Sequence, residues 1–208
     1  MKSLRFIKPL VMVVFFSVAV GGCYLPIRFD AEIEIHRTGH YDFKFDGYLA
    51  RVEMFKAMKE GKVGPEEEEK LIEQIRADFA RDPAVKEFKY LKMGHFKVNW
   101  QRRGDLIKTK SVSFFNSTGE YMLGIRYNYK TRRITISGKS IGLTNKKKLD
   151  AMGLGSRGQI RIFTDAKVIS HNATKVEKNK RLGGRFKSYI WDIKNIFAPT
   201  PSLVIQIL

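Results

Sequence analysis

The sequence predicts one domain of the α+β class, built mostly from an antiparallel sheet, with two helices inserted after the first hairpin and a short third helix. Apolar and polar residues alternate at the start of the domain and through most of its second half, which is typical of strands with one buried face. Between these regions apolar residues recur three and four positions apart, which is typical of helices. The 208 residues contain neither an internal repeat nor a linker, so residues 23–208 are expected to form a single domain.

The first two strands are predicted to form a hairpin. From Pro26 to Arg37, apolar residues fall on one face and charged residues on the other. A turn over Thr38 to His40 follows, and Tyr41 opens a second strand that is expected to end near Asp46-Gly47.

Two helices are predicted next. The first is expected to end at Gly61 and carries apolar residues at helical spacing, namely Leu49, Val52, Phe55 and Met58. The second begins at Gly64-Pro65 with four glutamates, which suit the positive end of a helix dipole. It is expected to end near Arg81, because Asp82-Pro83 disfavours continuation. The segment from Ala84 to Met93 fits either a short helix or a strand.

From His95 onward the chain is predicted to consist mostly of strands joined by turns. Thr144 is expected to N-cap the third helix, which would run to Gly153. The polar, basic segment from Asn172 to Gly184 is expected to be a long loop. Strands are expected over residues 95–105, 107–115, 120–130, 132–141, 159–168, 188–196 and 203–208.

Residues 1–22 are predicted to be a lipoprotein signal peptide. Basic residues precede an apolar run of about a dozen residues, whereas a membrane-spanning helix needs ~20. The run ends in Val20-Gly21-Gly22-Cys23, which resembles the lipobox of bacterial lipoproteins. The resemblance implies that the Cys23 thiol is acylated, that cleavage precedes it, and that the domain is tethered to a membrane. Tyr24 follows where an Asp would imply inner-membrane retention, so the outer membrane, facing the periplasm, is expected in a Gram-negative cell.

The chain is strongly basic. Its formal charge of +18 falls by three, to +15, when the basic residues of the leader are removed. Such a charge predicts attraction to anionic surfaces, which outside the cytoplasm are lipids, glycolipids, wall polymers or acidic proteins. Nucleic acid is not an expected partner, because the leader directs export. Cys23 is the only cysteine, so the domain is expected to fold without a disulfide.

Six cations are candidates for binding an anion or a lipid head group. Three follow the predicted start of the third helix, where free N–H groups and ammonium groups suit an anion. Three lie in the predicted loop, with aromatic residues beside them. A solvated basic surface is the alternative for both groups. The histidines form no metal-binding set with a Cys or carboxylate cluster, and neither a metal nor a cofactor is expected. The six are Lys146, Lys147, Lys148, Lys178, Lys180 and Arg181.

One hydrolase motif is present. The segment from Gly138 to Gly142 fits G-x-S-x-G with Ser140 at its centre, and Asp150 or Asp165 and then His171 follow in the hydrolase order. That fold needs a helix directly after the serine and a parallel sheet with crossover helices. The predicted segments are too closely spaced for such a sheet, so we expect a protein that is not an enzyme.

Several segments resemble the LppM-like family of bacterial lipoproteins. In the C-terminal third these are Ile160 to Phe163, Asp165 to Val168, Asn172-Ala173 and Tyr189 to Ile193. The lipobox followed by the alternating strand over residues 30–35 is similar too. The resemblance implies an envelope domain of mixed α/β fold, with lipid or glycolipid as its ligand. The basic charge is unusual for that family.

These observations predict a non-catalytic, membrane-anchored envelope lipoprotein that binds anionic lipid or glycolipid through a basic face. The alternative is a structural or assembly factor that docks on an envelope protein complex with an acidic surface. An apolar cavity beside a basic patch would favour the first function. A flat apolar patch or an exposed sheet edge would favour the second.

Overall fold

The computed structural model describes residues 24–114, 122–179 and 184–208. These residues form two sheets and four helices. In chain order the elements are β1 (Tyr24–Ile35), β2 (His40–Arg51), α1 (Val52–Lys59), α2 (Pro65–Ala80), β3 (Val85–Lys92), β4 (His95–Asp105), α3 (Leu106–Thr109), β5 (Ser111–Phe114), β6 (Leu123–Asn128), β7 (Arg133–Gly138), α4 (Leu143–Ala151), β8 (Arg157–Thr164), β9 (Lys167–His171), β10 (Lys175–Asn179), β11 (Phe186–Ile193) and β12 (Ser202–Gln206).

The first strand lies at the centre of the larger sheet. That sheet has seven strands in the order β10-β11-β8-β1-β2-β4-β3, and the smaller sheet has the order β5-β6-β7-β12-β9. β1 pairs antiparallel with β2 and parallel with β8, with Ile35 opposite both Tyr41 and Thr164. The register between β1 and β2 shifts between Pro26 and Arg28. The other strand pairs are antiparallel.

The larger of two buried apolar clusters joins the two sheets and helix α2. At one end of the large sheet, Phe114 of β5 stacks on Phe45 of β2, with ring centroids 3.9 Å apart. At the other end, Phe79 of α2 packs against Phe88 of β3 at 4.5 Å and against Tyr24 of β1 at 5.8 Å. The small sheet and helix α2 therefore pack on the same face of the large sheet. The strands of the large sheet carry apolar residues on that face at both of their ends.

The opposite face of the large sheet carries ion pairs between neighbouring strands. Lys97 pairs with Asp46, Arg103 Nε lies 2.8 Å from a carboxylate oxygen of Asp42, and Arg161 Nη2 lies 2.9 Å from one of Asp30. Polar residues alternate here with the apolar residues of the core, which is the pattern of a strand with one solvated face. Many of the cations on this face are therefore compensated within the sheet.

The predicted α+β class agrees with a structure that is mostly sheet with few helices. Both helices after the hairpin are present, and α2 has nearly its predicted bounds. The ambiguous segment after α2 forms the strand β3. Helix α4 is the predicted short helix, but it begins at Leu143 with Gly142 as its N-cap. The prediction of Thr144 as the cap is therefore wrong.

Three further predictions of local structure are wrong. The second strand continues to Arg51, so the fully buried Leu49 faces the core from β2 instead of starting a helix. Ile107 lies in the short helix α3, which Asp105 caps by accepting a hydrogen bond from the Ile107 N–H. The predicted loop after Asn172 contains β10, which pairs with β11. None of the helices in the described ranges has both the length and the apolar character needed to cross a membrane.

Candidate functional site

A cavity of about 350 Å³ opens at the end of the domain where β1 begins. This volume lies within the range of ~300–1,000 Å³ that is usual for small-molecule sites. Its walls come from the start of β1, the start of β6, the β7–α4 connection and the β11–β12 loop. Most of the lining is apolar, including Leu25, Met122, Ile160, Ile193 and Ile196.

Phe29 forms one wall of the cavity, and two glycines make room for it. Gly47 of β2 and Gly158 of β8 lie opposite Phe29 on its two neighbouring strands. A Cβ at Gly47 would lie 2.6 Å from the Cβ of Phe29, and one at Gly158 would lie 2.8 Å from its ring. Larger residues at either position would clash with the backbone of β1 as well as with the Phe29 side chain, so the shape of this wall depends on both glycines.

The loop between β11 and β12 closes another side of the cavity, and hydrogen bonds hold it in place. The Gly138 N–H donates to the carbonyl oxygen of Pro201 at 3.1 Å, which ties the loop to the end of β7. The side chain of Asn172 donates to the Thr200 carbonyl at 2.8 Å and accepts from Trp191 Nε1 at 2.8 Å. The loop is therefore fixed to both sheets at its C-terminal end.

The polar groups of the lining are cationic or neutral. Lys139 and Lys146 supply the charge, and the described residues that line the cavity include no acidic side chain. Lys146 Nζ lies 3.4 Å from the carbonyl oxygen of Ala198. This carbonyl is neutral, so the contact positions the ammonium group and leaves its charge in place. Burial raises the pKa of the Tyr24 phenol to about 12, which keeps this lining group uncharged at neutral pH.

The structure places one of the six predicted cations in the cavity wall. Lys146 lines the cavity, while Lys147 and Lys148 follow it on α4 with exposed side chains. The Lys146 N–H already donates to the Gly142 carbonyl, so the three lysines begin one turn inside the helix and not at its free N–H groups. Whether they bind an anion stays a prediction.

Lys178 lies far from this cavity. It is on β10 opposite Lys187, which pairs with Thr164 at the end of β8, whereas the cavity-lining residue on β8 is Ile160. Four residues of strand correspond to ~13 Å, and β10 lies two strand spacings, or ~10 Å, from β8. The structure therefore does not bring Lys178 together with Lys146. Lys180, Arg181, Cys23 and the predicted signal peptide over residues 1–22 lie outside the described residues.

The residues of the hydrolase motif do not form a triad in this structure. Ser140 lies in the cavity wall, but four residues separate the end of β7 from the start of α4, so there is no sharp turn from strand to helix at the serine. Nδ1 of His171 lies 3.2 Å from the Ala173 N–H, and Asp165 accepts from the Arg37 N–H at 2.7 Å. The absence of catalysis stays a prediction.

Sequence reasoning missed the cavity itself. The alternating pattern places Phe29 on the buried face of a strand, and Lys139 stands out in the sequence only as part of a motif. The available signal was Gly158 inside a strand, since a glycine there often marks the close approach of a neighbouring group. The part of the chain that the structure describes contains no group of three or more His, Cys, Asp or Glu side chains arranged to hold a metal ion.

Comparison with known proteins gives a distant structural likeness and no sequence match. No protein-family model matches the chain, and no curated protein matches it either. Among solved structures, the chain is similar to the folded domain of LppM from Mycobacterium tuberculosis, determined by NMR, with a TM-score of 0.43 and 14% sequence identity. The alignment covers 87% of this chain and 90% of that domain. A likeness at this level leaves family membership and function to other evidence.

Proposed function

We propose that this protein is a non-catalytic envelope lipoprotein, anchored through Cys23, whose cavity holds the acyl part of an anionic lipid or glycolipid. The observation that carries the proposal is an apolar cavity of about 350 Å³ with two lysines and no acidic residue among its described lining residues. An acyl chain suits the apolar walls, and a phosphate or another anionic group suits the lysines at positions 139 and 146.

The physical basis is the burial of methylene groups together with charge pairing. Each methylene removed from water contributes about 0.8 kcal/mol, so burying even a few of them gives an appreciable free energy of binding. The anionic head group adds an interaction with Lys146, whose ammonium group is already positioned by the Ala198 carbonyl. The cavity therefore selects for lipids that combine an acyl chain with negative charge.

Lipid bound to the full-length protein tests this function. The protein is extracted from envelopes in mild detergent, and its bound lipids are identified by native mass spectrometry. Ala198→Phe places a large side chain on a cavity-lining residue, and Ala151→Phe makes the same change on an exposed residue at the end of α4. We expect lipid on the wild type and on Ala151→Phe, and its loss from Ala198→Phe. Equal lipid content in all three proteins, or none on the wild type, contradicts the proposal.

The alternative function, an assembly factor that docks on an acidic envelope complex, is favoured by the exposed strand at one edge of the large sheet. On β10, Val176 is 45% exposed, and Lys175 and Lys178 are exposed as well. Lysines on an edge strand oppose pairing with another strand, so a partner would have to supply acidic groups. Cross-linking in intact envelopes, with Val176→Lys as the test variant, separates this function from lipid binding. The substitution should reduce cross-linking to a partner that docks at this edge and should leave lipid binding in the cavity unchanged.

A further inference from the structure

We propose that the rim of the cavity is a membrane-docking surface, in which Leu143 and Phe197 enter the bilayer and neighbouring lysines contact anionic head groups. This inference concerns how the domain sits on the membrane, and it holds whether or not the cavity retains a lipid. The rim surface is defined as Leu143 and Phe197 with Lys139, Lys146 and Lys147.

Two large apolar side chains are exposed at the rim. Leu143 is 62% exposed and Phe197 is 42% exposed. Leu143 follows the lining residue Gly142, and Phe197 lies between the lining residues Ile196 and Ala198. Keeping such side chains in water forgoes the favourable transfer of their apolar surface to a nonaqueous environment. Insertion into a bilayer would supply this favourable transfer free energy.

The contact between Lys146 and Ala198 brings these two side chains to the same part of the surface. Lys146 Nζ lies 3.4 Å from the Ala198 carbonyl, which joins the first turn of α4 to the β11–β12 loop. Leu143 lies three residues before Lys146 and therefore on the same side of α4. Phe197 is the residue before Ala198. The two apolar groups thus flank one contact between helix and loop.

The charge around this contact matches an anionic membrane. Lys139 and Lys146 line the cavity, and Lys147 is exposed on the adjoining position of α4. The nearest acid on the same helix is Asp150, at the opposite end of α4 from Leu143. Lysines with long apolar stems beside exposed Leu and Phe side chains are the combination that binds at a lipid interface. A lipid surface fits the rim because it offers anionic head groups to the lysines and an apolar interior to Leu143 and Phe197.

The chain also enters the domain at this end. Tyr24 lines the cavity and is the first residue of β1, so the peptide bond from Cys23 joins the domain beside the rim. An anchor at Cys23 would hold the rim close to the membrane, with little linker between them. The start of β1, the two exposed apolar side chains and the rim lysines all lie at one end of the domain. This arrangement would orient the mouth of the cavity toward the bilayer.

Tryptophan quenching by brominated lipid tests this orientation on the full-length protein in anionic vesicles. Leu143→Trp and Phe197→Trp place the reporter on the rim. Tyr129→Trp is the matched control, because Tyr129 is 66% exposed and follows the end of β6, six residues or ~20 Å from the lining residue Leu123. The native Trp100 and Trp191 are 1% and 2% exposed and give a constant background.

We expect bromines near the interface to quench the Leu143→Trp and Phe197→Trp proteins several-fold more strongly than the Tyr129→Trp control. Equal quenching in all three variants, or quenching in none, overturns the docking orientation. Ala198→Phe combined with Leu143→Trp separates docking from lipid binding, because this cavity-filled protein should still be quenched at position 143. Loss of quenching there would show that the reporter senses lipid inside the cavity, and this too would overturn the proposal.

Discussion

Gly158 lies directly opposite Phe29 in the parallel pairing of β8 with β1, and a Cβ at this glycine would clash with the Phe29 carbonyl oxygen and approach the Phe29 ring to 2.8 Å. We predict that Gly158→Ala lowers the free energy of unfolding by about 1–3 kcal/mol, the usual cost of overpacking. Urea denaturation measures the change. Gly155→Ala is the control, because no atom lies within 4 Å of a Cβ at that position. Equal stability of the two variants would show that the Phe29 wall can adjust at no cost.

Asp82 gives a prediction for acidic pH. Burial raises the pKa of its carboxyl, but hydrogen bonds from Trp100 Nε1, the Ala84 N–H and Arg102 outweigh that effect and hold the pKa below its usual 3.8. The contribution of this lowered pKa to folding stability is fully present above pH 3.8, the usual pKa of the carboxyl. That stability is lost as the pH falls below 3.8 and through the pKa of the folded protein.

Asp82→Asn should therefore lower the free energy of unfolding at neutral pH by about 1–3 kcal/mol and flatten its decline in acid. Thermal unfolding at a series of pH values measures both effects. Asp78→Asn serves as the comparison, since Asp78 forms an exposed pair with Arg81 and should change stability little. If Asp82→Asn loses stability in acid as steeply as the wild type does, the Asp82 carboxyl is not the group that causes that loss.

The two groups of predicted cations should differ in their effect on membrane binding. Changing Lys146, Lys147 and Lys148 together to Gln should weaken binding of residues 24–208 to anionic vesicles by roughly one to two decades, at ~1 kcal/mol per cation. Added salt should reduce the same attraction, which decays over about 8–10 Å. Flotation at two salt concentrations measures both.

The second group tests whether cations that are not part of the rim surface contribute. Changing Lys178, Lys180 and Arg181 together to Gln alters the charge by the same amount, and Lys178 lies two strands across and four residues along the sheet from the lining residue Ile160. If the rim surface docks, this variant should bind more like the wild type. A loss as large as that of the α4 variant would favour attachment through the overall charge of the domain.

Lipidation of Cys23 can be tested directly. The lipobox resemblance predicts that the wild type incorporates labelled palmitate and that Cys23→Ser remains uncleaved or leaves the membrane fraction. The control is Ser3→Ala, a change in the leader before the apolar run, which should be labelled normally. If the wild-type protein incorporates no label, the proposed anchoring through Cys23 is wrong.

Ser140 provides the test for hydrolase activity. The loose connection between β7 and α4 predicts that a fluorophosphonate probe leaves the purified protein unlabelled. Ser137→Ala is a neighbouring serine control. Labelling that persists in Ser137→Ala but disappears in Ser140→Ala would show a reactive serine and contradict a non-catalytic role.

The elements that could be predicted are those with strong local patterns. The alternation along β1 and the glutamate-rich start of α2 are visible in short windows, so the type and approximate position of both elements follow from the sequence, although β1 begins and ends two residues earlier than predicted. β10 has no such pattern, because it is an edge strand with exposed residues on both faces. The prediction for Leu49 is wrong because its spacing to the residues of α1 also fits a helix, and its place on β2 depends on pairing with Phe96 of β4.

The cavity could not be predicted because it depends on contacts between distant parts of the chain. Phe29 and Gly158 meet only through the parallel pairing of β1 with β8, for which neither segment carries a local signal. The position of Lys146 depends equally on the Ala198 carbonyl, which is 52 residues away. The lysine triplet is visible in the sequence, but its relation to an apolar wall is not.

The central position of β1 has a mechanical consequence. A pull on the chain at Tyr24 acts along β1, whose hydrogen bonds to β2 and β8 run across the direction of that force. The bonds on both sides therefore share the load and must give way together, whereas a strand at the edge of a sheet would peel off one bond at a time. If the domain is anchored through Cys23 as proposed, tension at Tyr24 would be spread over the hydrogen bonds that β1 makes with both β2 and β8.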